Sequence, residues 1–114
     1  MFNTKLKLLV VRGIRSGQLF TVVDGGSRLG RSGSCEISID DPQLSRKHCL
    51  FDYIHGELWL TDLASTNGTF VNGEVLSAKS VVLHKYDLIT LGEHTDLIVM
   101  SSRAAKRYLR RHTH

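Results

Sequence analysis

Short β-rich runs, broken at regular intervals by turn residues, dominate this chain. Its 114 residues carry ten glycines and one proline, Pro42. Between them lie KLKLLVVR (5–12), QLFTVV (18–23), SRLGR (27–31), CEISI (35–39), HCLFDYI (48–54), ELWLTDL (57–63), TFVN (69–72), KSVVL (79–83), DLITLG (87–92) and TDLIVMS (95–101). His55-Gly56 and Asn72-Gly73 are two-residue hairpin signals. About ten strands at a spacing of roughly 8–12 residues predict an all-β sandwich or barrel. Helical composition is confined to 103–111, where Ala104/Tyr108 and Ala105/Leu109 are i,i+4 pairs and cations fill the other faces. The length is that of about one domain, which buries roughly two thirds of its unfolded surface and needs no external core. The expected organisation is a body over 1–102 and a basic, partly helical and solvated tail over 103–114.

The charge is unevenly placed. The whole chain has 15 Lys+Arg against 11 Asp+Glu, a formal +4. Residues 103–114 hold Arg103, Lys106, Arg107, Arg110 and Arg111 and no acid, so the body carries ten cations against eleven acids, a formal −1. A basic domain that binds nucleic acid through its whole surface is therefore not expected. No window approaches the ~18 apolar residues of a membrane span. The N-terminal MFNTKLKLLVVRG has a short apolar run and no small-residue cleavage site, so no secretory signal is expected and the chain reads as cytoplasmic. Cys35 and Cys49 have no C-x-x-C spacing and read as buried thiols.

Sheets frame rigid ends, and the loops at such an end are where a site belongs. Loop 30–34 reads Gly30-Arg31-Ser32-Gly33-Ser34, loop 40–47 ends in Ser45-Arg46-Lys47, and loop 64–68 reads Ala64-Ser65-Thr66-Asn67-Gly68. Small hydroxyls, an amide, arginines and glycines that let backbone N–H groups approach suit a multiply accepting anion such as phosphate. The planar arginine fork matches phosphate better than a lysine ammonium. An Asn amide both donates and accepts, as holding an extended peptide backbone requires.

Four pieces then occur in order, each between predicted strands: Gly30-Arg31, Ser45-Arg46-Lys47-His48 (Ser-x-x-His), Thr66-Asn67-Gly68-Thr69, and Asn72-Gly73. Leu29, Ile37-x-Ile39-Asp40-Asp41-Pro42 and Asp62-Leu63 surround them in keeping. With these residues the chain resembles a forkhead-associated (FHA) domain over about residues 5–101. The resemblance implies an eleven-stranded β-sandwich that binds phosphothreonine peptides through loops at one end, in Ser/Thr kinase signalling. It implies that Arg31 and Ser45 bind the phosphate, with Arg46 assisting. Thr66 lines the phosphate loop or the threonine-methyl pocket, and Asn67 holds the peptide backbone. It makes Gly30, His48 and Gly68 structural, with Asn72-Gly73 a turn supporting the binding face. The implied partner is a phosphothreonine-containing protein, such as a Ser/Thr kinase or its substrate.

Other readings of the same residues are weaker. His48, Cys49 and His55 are zinc-ligand types, but neighbours on a strand face opposite sides and cannot share an ion. Ser45, His48 and Asp62 supply the residue types of a hydrolase triad without a G-x-S-x-G elbow. No catalytic residue, metal or cofactor is expected. Asn67-Gly68-Thr69 is a glycosylation sequon, which lacks meaning without secretion. Two functional alternatives stand beside phosphopeptide binding. One is a phosphate-independent scaffold assembling through a sheet face. The other is contact of the basic tail with nucleic acid or an acidic surface.

Overall fold

The computed structural model describes residues 6–77 and 79–112. Residues 1–4 of the expected body, Lys5 of the first sequence-predicted strand, Ala78 between the TFVN and KSVVL runs, and Thr113 and His114 of the tail lie outside the described residues. The described residues form eleven strands: β1 (Leu6–Arg12), β2 (Leu19–Thr21), β3 (Ser27–Gly30), β4 (Ile37–Ser38), β5 (Cys49–Ile54), β6 (Glu57–Asp62), β7 (Thr69–Val71), β8 (Glu74–Val75), β9 (Ser80–Leu83), β10 (Leu88–Leu91) and β11 (Thr95–Ser101). One helix, α1 (Ser102–His112), follows. The strands form a six-stranded sheet in the order β2-β1-β11-β10-β7-β8 and a five-stranded sheet in the order β4-β3-β5-β6-β9. This is the all-β sandwich expected from the sequence, with the eleven strands and the short basic helix.

Alternation builds the core. Phe51 of β5, Leu58 and Leu60 of β6, Ile89 and Leu91 of β10, and Leu97 and Val99 of β11 all face inward and are buried. Each such side chain contributes about 1.5–3 kcal/mol by leaving water. His55 and Gly56 close the β5–β6 hairpin, both with positive φ, as a turn that follows the strands' own twist requires.

Alternation fails in β1, where Leu8, Leu9 and Val10 are all buried. The reason is a second, smaller core on the outer face of the six-stranded sheet. There Leu9 and Met100 meet Ala105 of α1, with Val11, Leu19, Ile98, Ala104, Tyr108 and Leu109 packed around them. Ser101 starts the helix by accepting the Ala104 N–H at its hydroxyl, 3.1 Å away. The segment expected to be solvated thus has one buried side.

Besides the shortening of QLFTVV to Leu19–Thr21, two elements differ from the sequence reading. β8 is a two-residue strand of exposed residues inside a segment that reads as a loop. CEISI contracts to Ile37–Ser38, because residues 31–36 turn away to shape a loop at the sandwich end.

The register decides which loops meet. Leu29 pairs with Cys49 and Cys49 with Asp62, so residues 31–36, 39–48 and 63–68 leave the five-stranded sheet at one end. Thr69 pairs with Leu91 and Leu91 with Thr95, which brings the 92–94 turn to that same end. The bond from the Gly92 N–H to the Gly68 carbonyl, 3.1 Å, carries the β7–β10 pairing one step further and fixes the end of the 63–68 loop beside the 92–94 turn.

Candidate functional site

Gly30 allows the first two loops to touch. A methyl group there would lie 2.1 Å from the Arg46 carbonyl oxygen and 3.0 Å from Lys47 Cα, so no side chain fits. That contact lets the Arg31 N–H donate to the Ser45 carbonyl at 3.0 Å and the Ser32 N–H to the Arg46 carbonyl at 3.2 Å. The Arg31 side chain is exposed, and its Nε donates to the Leu44 carbonyl at 3.1 Å. The guanidinium is therefore aimed by one bond, while neither terminal nitrogen has a partner among the described residues.

His48 joins the second loop to the third. Its Nδ1 accepts the Ser45 N–H at 3.1 Å, which leaves the ring proton on Nε2 to donate to the Gly68 carbonyl at 2.9 Å. The ring is fully buried, and that burial pulls its pKa below the ordinary value, with the Gly68 carbonyl, Asp62 and Asp41 opposing the shift. Ser45 is half-buried, and its Oγ accepts the Thr66 N–H at 2.9 Å. Its hydroxyl proton is thereby left to donate outward.

A carboxylate organises the third loop. Asp62 Oδ1 accepts the Ser65 and Thr69 hydroxyls at 2.6 and 2.7 Å, and Oδ2 accepts the Ser65 N–H at 3.1 Å. Partial burial works against its charge, yet these bonds outweigh it and hold the carboxyl below the usual range. Ser65 Oγ accepts the Gly68 N–H at 3.1 Å, and Gly68 takes φ +91°, which favours glycine. Thr66 and Asn67 are exposed at the tip. Asn67 Nδ2 donates to the Gln43 carbonyl at 2.9 Å, leaving its Oδ1 and second N–H for a ligand.

Gln43, which no sequence pattern marks, and Asp41, visible in sequence only within the Asp40-Asp41-Pro42 run, hold the rim. Asp41 is buried and accepts the Thr95 hydroxyl at 2.7 Å and the Gln43 N–H at 2.9 Å. Gln43 Oε1 accepts the Glu93 N–H at 2.8 Å, which pins the 92–94 turn beside Asn67. The Asp41-Pro42 turn before Ser45 was visible as a turn, but its partners lie about fifty residues away and no local pattern marks them.

Arg31, Ser45, Thr66 and Asn67 therefore share one bonded rim supported by Gly30, His48 and Gly68. The model of the FHA domain family matches residues 16–92. The chain belongs to the FHA domain family. It is 37% identical over 103 residues to an FHA domain-containing protein of Arabidopsis thaliana, covering 87% of this chain and 26% of that protein. It is 35% identical over 86 residues to the glycogen accumulation regulator GarA of Mycolicibacterium smegmatis, covering 75% of this chain and 53% of GarA. It thus spans between about a quarter and a half of those two relatives. Its fold is similar to the solution structure of an Arabidopsis thaliana FHA domain, with a TM-score of 0.80, 36% identity and 86% of each chain covered. An FHA domain solved in a study of phosphothreonine-dependent interactions gives a TM-score of 0.76 and 29% identity, covering 85% of this chain and 96% of that one.

Within this FHA domain not every expected site residue joins the rim. Arg46 contributes its backbone carbonyl, which accepts the Ser32 N–H and the Cys35 thiol (Sγ to oxygen 3.2 Å), while its side chain is exposed. Asn72 and Gly73 lie at the opposite end of β7. Asn72 Nδ2 donates to Asp87 at 2.9 Å, and its Oδ1 accepts the Leu88 N–H at 2.9 Å. Together they form the β7–β8 turn with φ of +51° and +85°, and brace the end of β7 away from the rim. His48 meets the backbone of Ser45 and not its hydroxyl, so no nucleophile–base pair forms. Among the described residues no group of three or more His, Cys, Asp or Glu is placed to hold a metal, and no helix is long and apolar enough to cross a membrane.

Proposed function

We propose that this FHA domain is a phosphothreonine-dependent binding module of Ser/Thr kinase signalling in the cytoplasm, and not an enzyme. One observation carries the reading. The ends of the Arg31 guanidinium, the Ser45 hydroxyl and the Asn67 amide that have no partner among the described residues belong to a single rim whose supports are already satisfied. Such donors are preorganised, so a ligand does not have to order them.

A phosphothreonine brings about −1.5 to −2 charge and three strong acceptor oxygens. Arg31 takes two of them through its terminal nitrogens, Ser45 donates to a third, and Asn67 holds the peptide backbone beside it. Arg46 and Lys47, both exposed in the adjoining loop, add attraction at longer range. On this reading Thr66, exposed and bonded through its N–H to Ser45 Oγ, lines the loop that meets the threonine methyl. One methyl discriminates phosphothreonine from phosphoserine by about 1–3 kcal/mol. The partner is a phosphothreonine-bearing protein, such as a kinase or its substrate.

Calorimetry with an oriented phosphothreonine peptide library tests the function and its flanking preference together. Arg31→Ala is expected to weaken binding by about 2–5 kcal/mol, and the unphosphorylated peptides are expected not to bind. Equal affinity of Arg31→Ala and the parent chain overturns the assignment. Assembly of the chain that is indifferent to phosphopeptide favours the scaffold instead.

A further inference from the structure

The excess charge of the chain sits on one face of α1. Arg103, Lys106, Arg107 and Arg110 follow the i, i+3, i+4, i+7 spacing of a single stripe, and line a shallow groove of about 460 Å³ with Ser102. Arg111 is exposed beside them. None of these cations has a carboxylate partner among the described residues. The other side of the helix is held against β1 and β11 by Ala104, Ala105, Tyr108 and Leu109. The stripe is therefore presented rigidly, not carried on a loose tail.

Helix stability does not account for this arrangement. Like charges three and four residues apart repel along a helix. The first turn holds no acid, and Arg103 sits at the end where the helix dipole disfavours a cation. The face fits a dense external anion.

We propose that this face of α1 binds the phosphodiester backbone of a nucleic acid. Three features select that partner. From Arg103 to Arg110 the stripe is about 10 Å long, so its four charges stand on average ~3.5 Å apart along the axis, which matches the ~3.4 Å between successive phosphates along one strand of duplex DNA. Three of the four cations are arginines, whose fork engages phosphate oxygens in pairs. A membrane-surface helix inserts its apolar side into lipid, whereas here that side is covered by the sheet. Binding is sequence-independent, because every contact is to the backbone. It is also separate from the phosphothreonine reading, since α1 leaves the sandwich at the end opposite to the 92–94 turn.

Fluorescence anisotropy of the full chain with a short mixed-sequence duplex tests this. Neutralising four phosphates predicts a fall in affinity on the order of a hundred-fold between about 50 and 200 mM salt. The variant R103Q/K106Q/R107Q/R110Q keeps the apolar side of the helix. It is expected to melt no lower than the parent, since it relieves the repulsion within the stripe, and to keep the phosphopeptide affinity while losing the duplex and its salt slope. Absence of duplex binding at low salt overturns the proposal. Undiminished binding by the variant overturns it too, as does equal or tighter binding of the parent chain to phosphatidylserine vesicles or polyglutamate.

Discussion

His48 holds the Ser45 loop and the Gly68 carbonyl together only as the neutral imidazole with its proton on Nε2. A second proton, on Nδ1, would face the Ser45 N–H with no acceptor between them. Burial sets the folded pKa below the unfolded value of about 6.5. The unfolded chain thus takes up that proton first, and stability is fully present above pH ~6.5 and is lost as pH falls from there through the folded pKa. Asp62 acts lower: its depressed pKa gives stability that is present above pH ~4 and declines below it. The expected outcome is a melting temperature that drops between pH 7.5 and 5, a slope that His48→Asn removes. Thermal stability is the better readout than binding, because a phosphopeptide's own second pKa lies near 6. A melting temperature flat across that range, or an unchanged slope in His48→Asn, contradicts this role. At this scale the sequence is eloquent about residues with unusual chemistry in a fixed order. Arg31, Ser45, His48 and Asn67 are legible by type and order. It is silent about Gln43, and it shows Asp41 only as part of a turn and not as a buried acceptor, because their partners Glu93 and Thr95 are distant in the chain.

Elements were legible where their residues alternate and bury, and illegible where contact with another element defines them. β5, β6, β10 and β11 announce themselves by period two. β8 does not, since Glu74 and Val75 are exposed and exist as a strand only by pairing with Val71 and Phe70. The Asn72-Gly73 turn that joins β7 to β8 shows how position changes meaning. From sequence it supports the binding face, whereas its bonds run to Asp87 and Leu88 at the other end. Asn72→Ala removes both side-chain bonds and places alanine at φ +51°, a left-handed conformation. A loss of about 1–3 kcal/mol of stability is expected, read as a lower urea midpoint, with phosphopeptide affinity unchanged. Reduced affinity in the folded variant would return this turn to the binding site.

The described residues form two cores, and the second leaves only a faint mark in the sequence. The run Leu8-Leu9-Val10 breaks the alternation of its strand, which is the mark of a strand covered on both sides. Paired with an amphipathic 103–111, that run was the available sign that the basic segment docks on the sheet. Ending the chain at Ser102 uncovers Leu9 and Met100 and strips the packing from Val11, Leu19 and Ile98. The resulting apolar strip lies on β1, β2 and β11, adjoining strands of one sheet, and contiguous patches of this kind promote association. Truncation is expected to lower stability by about 2–5 kcal/mol, a fall in Tm of about 10 °C or more, with concentration-dependent association in light scattering. Phosphopeptide affinity per folded molecule is expected to persist, because the rim of Arg31, Ser45 and Asn67 is bonded wholly within residues 30–95. A truncated chain that melts with the parent and stays monomeric would mean that α1 rests on the sheet without stabilising it. The charge of α1 would then be its sole contribution, and the R103Q/K106Q/R107Q/R110Q variant measures that separately.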